Sequence, residues 1–148
     1  MRTVITTESQ ILNKKIVIIG LGLIGGSVAR ALSDRGLADQ IWAVGKDIDA
    51  LQQAKAKGVI ADYSTELEPV CSDADLILIA VPGLSVALVM QGLVKLVKES
   101  CVITDVSSVK QSTVDAAISA FGKLPLNLVP GHPIAGSEKS GFKAARPD

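Results

Sequence analysis

Five stretches of the chain are dominated by apolar residues, and segments of helical periodicity separate them. KIVIIG, from Lys15 to Gly20, is a β-branched run with no polar residue inside it, as expected of a strand covered on both faces. A helix follows, because Ile24, Val28 and Leu32 recur at four-residue spacing and Gly36 supplies a stop. QIWAVGKD predicts a second strand ending near Asp47. DALQQAKAKG predicts a second helix with Asp47 or Asp49 as N-cap and Gly58 as C-cap. DLILIAVP, Asp75 to Pro82, is a third strand, and SVALVMQGLVKLVKES then places Val86, Val89, Met90, Leu93 and Val97 on one helical face. CVITDV is a fourth strand. SSVKQSTVDAAISAFG is a helix with apolar Val114, Ala117, Ile118 and Phe121, and LNLVP, Leu126 to Pro130, is a short last strand.

Strands alternating with helices through short connections pair in parallel with right-handed crossovers, which gives an α/β, doubly wound, mostly parallel sheet. Ligands of such sheets bind outside the carboxyl ends of the strands. The residues just beyond each apolar run therefore form one rim: Gly22, Asp47, Pro82, Asp105 to Lys110, and His132.

Composition narrows the picture. Hydrophobic residues are 48% of the 148 but aromatic ones only 3%, so the core must be aliphatic, as in parallel sheets sandwiched by helices. Fifteen basic residues balance fifteen acidic ones, which excludes nucleic acid or a polyanionic surface as an expected partner. Cys71 and Cys101 have neither CxxC spacing nor a neighbouring His/Cys cluster; no metal site is expected, and reduced, buried thiols fit a cytoplasmic protein. Residues 1–14 read as a lead-in without the apolar stretch of a signal peptide, and 15–148 as the domain. The uncharged run from Leu76 to Val94 is long enough for a membrane span, but Pro82, Gly83, Ser85 and Gln91 divide it into strand, turn and amphipathic helix. No membrane partner is expected. The chain stops at GFKAARPD with no terminating element, as an end imposed on a longer polypeptide would.

GLGLIGG satisfies G-x-G-x-x-G through Gly20, Gly22 and Gly25, between a buried strand and a helix start. In a Rossmann-type NAD(P)-binding domain, Gly20 permits the tight turn, Gly22 lets the backbone approach a pyrophosphate, and Gly25 lets the helix lie close to the sheet. The diphosphate would rest on the helix N-terminus at Leu23 and Ile24. Asp47, 22 residues after Gly25, is spaced to accept from ribose hydroxyls, which favours NAD; Lys46 beside it would instead suit the 2′-phosphate of NADP. The same residues also serve a plain strand-to-helix turn and a helix cap. Val81, Pro82 and Ser107 complete the expected cofactor contacts.

GHPIAGSEKSGF, Gly131 to Phe142, holds the single histidine of the chain. On position alone, His132 is a catalytic group or a polar residue in a turn. IIGLGLIGGS, TDVSSVK (Thr104 to Lys110) and GHPIAGSEKSG (Gly131 to Gly141), in that order, resemble the nucleotide-binding domain of prephenate and arogenate dehydrogenases, the TyrA family of tyrosine biosynthesis. The likeness runs from about Lys15 to the end. It implies NAD(P)-dependent oxidative decarboxylation of a cyclohexadienol, with His132 accepting the C4 hydroxyl proton. It implies that Ser108 of SVK hydrogen-bonds that histidine, although Ser108 also stands where a helix N-cap would, and Ser107 occupies a position that is glycine in many relatives. Ser137 matches a position near the substrate carboxylates. Lys139 and Lys110 are the nearby cations for them. The resemblance also implies a helical C-terminal domain, absent from this chain, that supplies a substrate arginine and a homodimer interface.

Two alternatives stand beside this. The chain by itself is a dinucleotide-binding module without turnover, or it belongs to another NAD(P) oxidoreductase group such as the β-hydroxyacid dehydrogenases or imine reductases. The GHP loop argues against the latter, whose groups commonly use a lysine or other residues from a helical second domain.

Overall fold

The computed structural model describes residues 14–132, 142–145 and 147. Six strands form a parallel sheet: β1 (Lys15–Ile19), β2 (Gln40–Val44), β3 (Asp62–Ser64), β4 (Leu76–Ile79), β5 (Val102–Asp105) and β6 (Leu128–Pro130), in the order β3-β2-β1-β4-β5-β6. This is the doubly wound Rossmann order, and the chain reverses its direction of travel between β1 and β4. Their registers pair Ile16 with Leu76 and Ile19 with Ile79, so both strands end level beneath the switch point.

The continuous apolar runs are explained by two cores. Val17 and Ile19 of β1 and Ile77 and Ile79 of β4 face one side, where they meet Val86, Met90 and Leu93 of α4 (Gly83–Leu93) and Ala117 of α5 (Lys110–Phe121). Ile16, Ile18 and Leu78 face the other side, against Ala29 of α1 (Leu23–Asp34), Leu51 and Ala54 of α2 (Ile48–Ala56), and Phe142. Alternate residues of one strand thus feed opposite cores, which is why neither face tolerates a polar position.

Several expectations are corrected. β3 and the one-turn α3 (Glu68–Cys71) lie in a stretch with no predicted element; both are too short to show a period. In α1 the buried positions are Gly25, Gly26 and Ala29, while Val28 and Leu32 pack at the margin and Ile24 lines a cleft at the carboxyl edge of the sheet. Small residues let this helix lie so close that its inner face carries hardly any side chain. α4 stops at Leu93, and Val97 reaches the core from beyond the helix. In α5 the buried residues are Thr113 and Ala117, whereas Ile118 is 42% exposed. The N-cap of α5 is Val109, without a side-chain cap, so Ser108 does not cap it. The lead-in falls outside the described residues, apart from Lys14.

Candidate functional site

A cleft of about 950 Å³ opens at the carboxyl ends of β1, β4, β5 and β6. One wall is the glycine turn, Gly22 to Ile24. Another is the segment after β4, Ala80 to Leu84. Val106 to Val109 after β5 and His132 after β6 close the far end. The topology therefore brings together residues from four separate stretches of sequence, including Leu23, Val81, Pro82, Ser107 and Ser108.

The three glycines differ in what surrounds them. Gly20 has φ +96, and a Cβ there would sit 2.6 Å from the Ala80 carbonyl oxygen. A Cβ on Gly25 would meet the Gly20 carbonyl oxygen at 2.1 Å. Around Gly22 there is nothing within 4 Å of a built Cβ. Two glycines are thus required by the protein's own packing, and the third borders open cleft. Gly22 is also the N-cap of α1, which has no side-chain cap and no acidic residue in its first turn, so the helix start that lines the cleft carries no anion of its own.

Asp47 caps α2, its Oδ1 accepting from Ala50 N–H at 3.0 Å. It is exposed and lies outside the cleft proper, beyond the end of β2. Lys46 is exposed beside it.

The far end of the cleft is built on Asp105, which is 1% exposed. Its Oδ2 accepts from Ser107 N–H at 3.1 Å and Thr113 Oγ1–H at 2.7 Å, and its Oδ1 from Gly131 N–H at 3.2 Å. Lys110 Nζ bonds both oxygens, at 2.9 and 3.0 Å, and donates to the Gly131 carbonyl. Lys110 is therefore committed to a buried carboxylate and is not the free cation expected for a substrate. Ser107 Oγ accepts from Val109 N–H at 3.3 Å, and Ser108 is exposed between these anchored residues. His132 is exposed at the cleft directly after the tethered Gly131. Ser137 and Lys139 fall outside the described residues. Asp105 stood on the predicted rim without a role; its signal was a lone acid ending an aliphatic strand, VITD, with Thr113 and Lys110 on the helix that follows.

The two cysteines are free and buried, their thiols pushed up by burial to about 12 for Cys71 and about 11 for Cys101. Both side chains pack in the aliphatic core. Among the described residues no cluster could hold a metal ion, and no helix is long and apolar enough to cross a membrane.

Comparison with known proteins places this cleft in context. The family described as "Prephenate dehydrogenase, nucleotide-binding domain" matches residues 28–148. The chain is 37% identical to a prephenate dehydrogenase of Lactococcus lactis over 133 residues, covering 89% of this chain and 37% of that protein. It is 32% identical to a cyclohexadienyl dehydrogenase of Zymomonas mobilis, covering 86% of this chain and 43% of the relative. Its fold superposes with TM-score 0.80 and 28% identity on the prephenate dehydrogenase of A. aeolicus solved with hydroxyphenyl propionate and NAD+, over 90% of this chain and 46% of that one. The chain thus spans less than half the length of these proteins.

Proposed function

The chain belongs to the prephenate dehydrogenase family as its nucleotide-binding domain, and from that membership we propose that it binds NAD and supplies the catalytic histidine for oxidative decarboxylation of prephenate or arogenate in tyrosine biosynthesis. The observation that carries this is the convergence on one cleft of Gly22, Ser108 and His132, which are 86 and 24 residues apart along the chain.

The residues present fit a dinucleotide. The empty space at Gly22 is where a Cβ would block a close-approaching diphosphate, and the uncapped N-terminus of α1 offers amide donors there. Asp47 uses one oxygen to cap α2, and its second oxygen remains for a ribose hydroxyl, so its two roles are compatible. That favours NAD; NADP would draw on Lys46. Val81, Pro82 and Ser107 line the wall against which the rest of the dinucleotide would lie. Bound NAD+ supplies the acceptor for the hydride leaving the substrate ring.

The protein's own contribution is proton handling and placement. An imidazole is suited to accept the hydroxyl proton of a cyclohexadienol. His132 is the group offered to the cleft, and the hydroxyl of Ser108, which lines the same cleft, would orient the imidazole or the substrate hydroxyl. Loss of carbon dioxide yields an aromatic ring, which makes the step effectively irreversible. Cations for the two substrate carboxylates come from Lys139 and from chain beyond these residues, with Ser137 beside them; Lys110 is otherwise engaged. Cytoplasmic location and a homodimer formed through a helical domain belong to the same proposal.

The coverage of the relatives favours a second statement: at 148 residues the chain binds cofactor without turning substrate over. Both hold for different lengths of one polypeptide. In a length that turns over prephenate, His132→Asn lowers kcat by about two orders of magnitude or more with NAD+ affinity unchanged. An unimpaired rate would retire His132 as the proton acceptor.

A further inference from the structure

We propose that Asp105 is the positioning residue that ties the serine turn to the histidine loop, giving one carboxylate oxygen to each. Oδ2 holds the Ser107 N–H, and Oδ1 holds the Gly131 N–H. Both held residues directly precede a cleft residue, Ser108 in one case and His132 in the other. Lys110 closes the arrangement by bonding both oxygens and the Gly131 carbonyl, so Gly131 is gripped at its N–H and its C=O by one ion pair. Gly131 also lies close against the end of β5: a Cβ there would lie 2.8 Å from the Asp105 carbonyl oxygen.

The chemistry requires an ionised carboxylate. Donors converge on both oxygens, and an ionised acid is acceptor-only at each. An amide presents one oxygen and one NH2 group. Thr113 could reverse its hydroxyl to accept from that NH2, but a backbone N–H cannot. Asparagine at 105 therefore leaves either Ser107 N–H or Gly131 N–H facing a donor, and one side of the cleft comes loose. With the carboxylate buried and the lysine half-buried, desolvation of the carboxylate offsets much of the pair's attraction, and fixing geometry is the better account of it.

The inference rests on the proposed role of His132 only for its effect on rate, and the first readout is independent of activity. In the 148-residue chain, Asp105→Asn should raise amide hydrogen exchange about tenfold or more at Gly131 or Ser107, with Ile103 in β5 and Ala80, bonded to the Ile19 carbonyl just after β4, unchanged. Where the single variant loses sheet protection as well, Asp105→Asn with Lys110→Met leaves no half-buried cation without its carboxylate and is read at the same amides. A merely structural ion pair predicts that this double variant recovers thermal stability, protection and rate together. The positioning role predicts that stability recovers while protection at one of the two amides stays low. In a length that turns over prephenate, kcat stays depressed about tenfold or more, with KM for NAD+ within about twofold. Unchanged protection at both amides overturns the proposal, and so does an undiminished rate where His132→Asn lowers it. If His132→Asn is equally undiminished, the error lies in the role given to His132.

Discussion

Gly25 stands directly over Gly20, so that a Cβ at residue 25 would come within 2.1 Å of the Gly20 carbonyl oxygen. The contact is backbone against Cβ, with Ile18 and Ala80 closing the sides at 3.1 and 3.2 Å, so no side-chain rotation can relieve it. Gly25→Ala should destabilise the fold by roughly 1–3 kcal/mol, the usual cost of overpacking, read from urea or thermal unfolding. Loss of dinucleotide binding would accompany it as a consequence of the displaced helix.

Gly22 makes the contrasting prediction. With open space around it, Gly22→Ala should cost less than about 1 kcal/mol of stability, as at other glycine N-caps. NAD+ affinity should nevertheless fall by about tenfold or more, since the methyl group enters the approach to the helix N-terminus. Calorimetry beside a melting curve separates the two effects.

Asp47 carries a cap and a charge, and two substitutions divide them. Asp47→Ala should lose about 1 kcal/mol of stability with the cap to Ala50. Asp47→Asn should keep the cap, since asparagine caps as well as aspartate, yet narrow the preference for NAD+ over NADP+ by removing a negative charge from beside the 2′ position. A binding ratio that does not move would assign Asp47 to the helix alone.

Acid sensitivity should trace in part to Asp75. Lys98 Nζ at 2.7 Å, and then the Lys15 N–H at 2.9 Å, hold its carboxyl below the ordinary value. A depressed carboxylate stabilises the fold at pH above its unfolded pKa, near ~3.9, and that stabilisation is lost as pH falls through the folded pKa. Asp75→Asn should lower the urea midpoint at pH 7 and shrink the drop between pH 7 and pH 3. Equal drops in both proteins would contradict the assignment.

The alternating plan was legible because each main strand is a short aliphatic run buried on both faces and each main helix carries a repeat. The aliphatic, aromatic-poor composition favoured α/β over an all-β sandwich. What escaped was short or inverted. β3 and α3 have three and four residues, fewer than a period can mark. The face of α1 was misassigned because Gly25 and Gly26 are invisible to any count of hydrophobic side chains, although they define the contact. In α5 the buried Thr113 belongs to the polar pattern by composition and to the core by position, since its hydroxyl is spent on Asp105. The cleft residues were readable from strand ends and motifs. The Asp105 cluster was not, because hydrogen bonds spanning 26 residues depend on β5 and β6 lying side by side.

The central claim is that the cleft at the end of β1 holds NAD, and calorimetric titration of the 148-residue chain with NAD+ and then NADP+ tests it most directly. Saturable binding of NAD+ tighter than NADP+, abolished or weakened about tenfold by Gly22→Ala in a protein that melts like the parent, is the predicted result. Binding of neither nucleotide by the folded chain would contradict it.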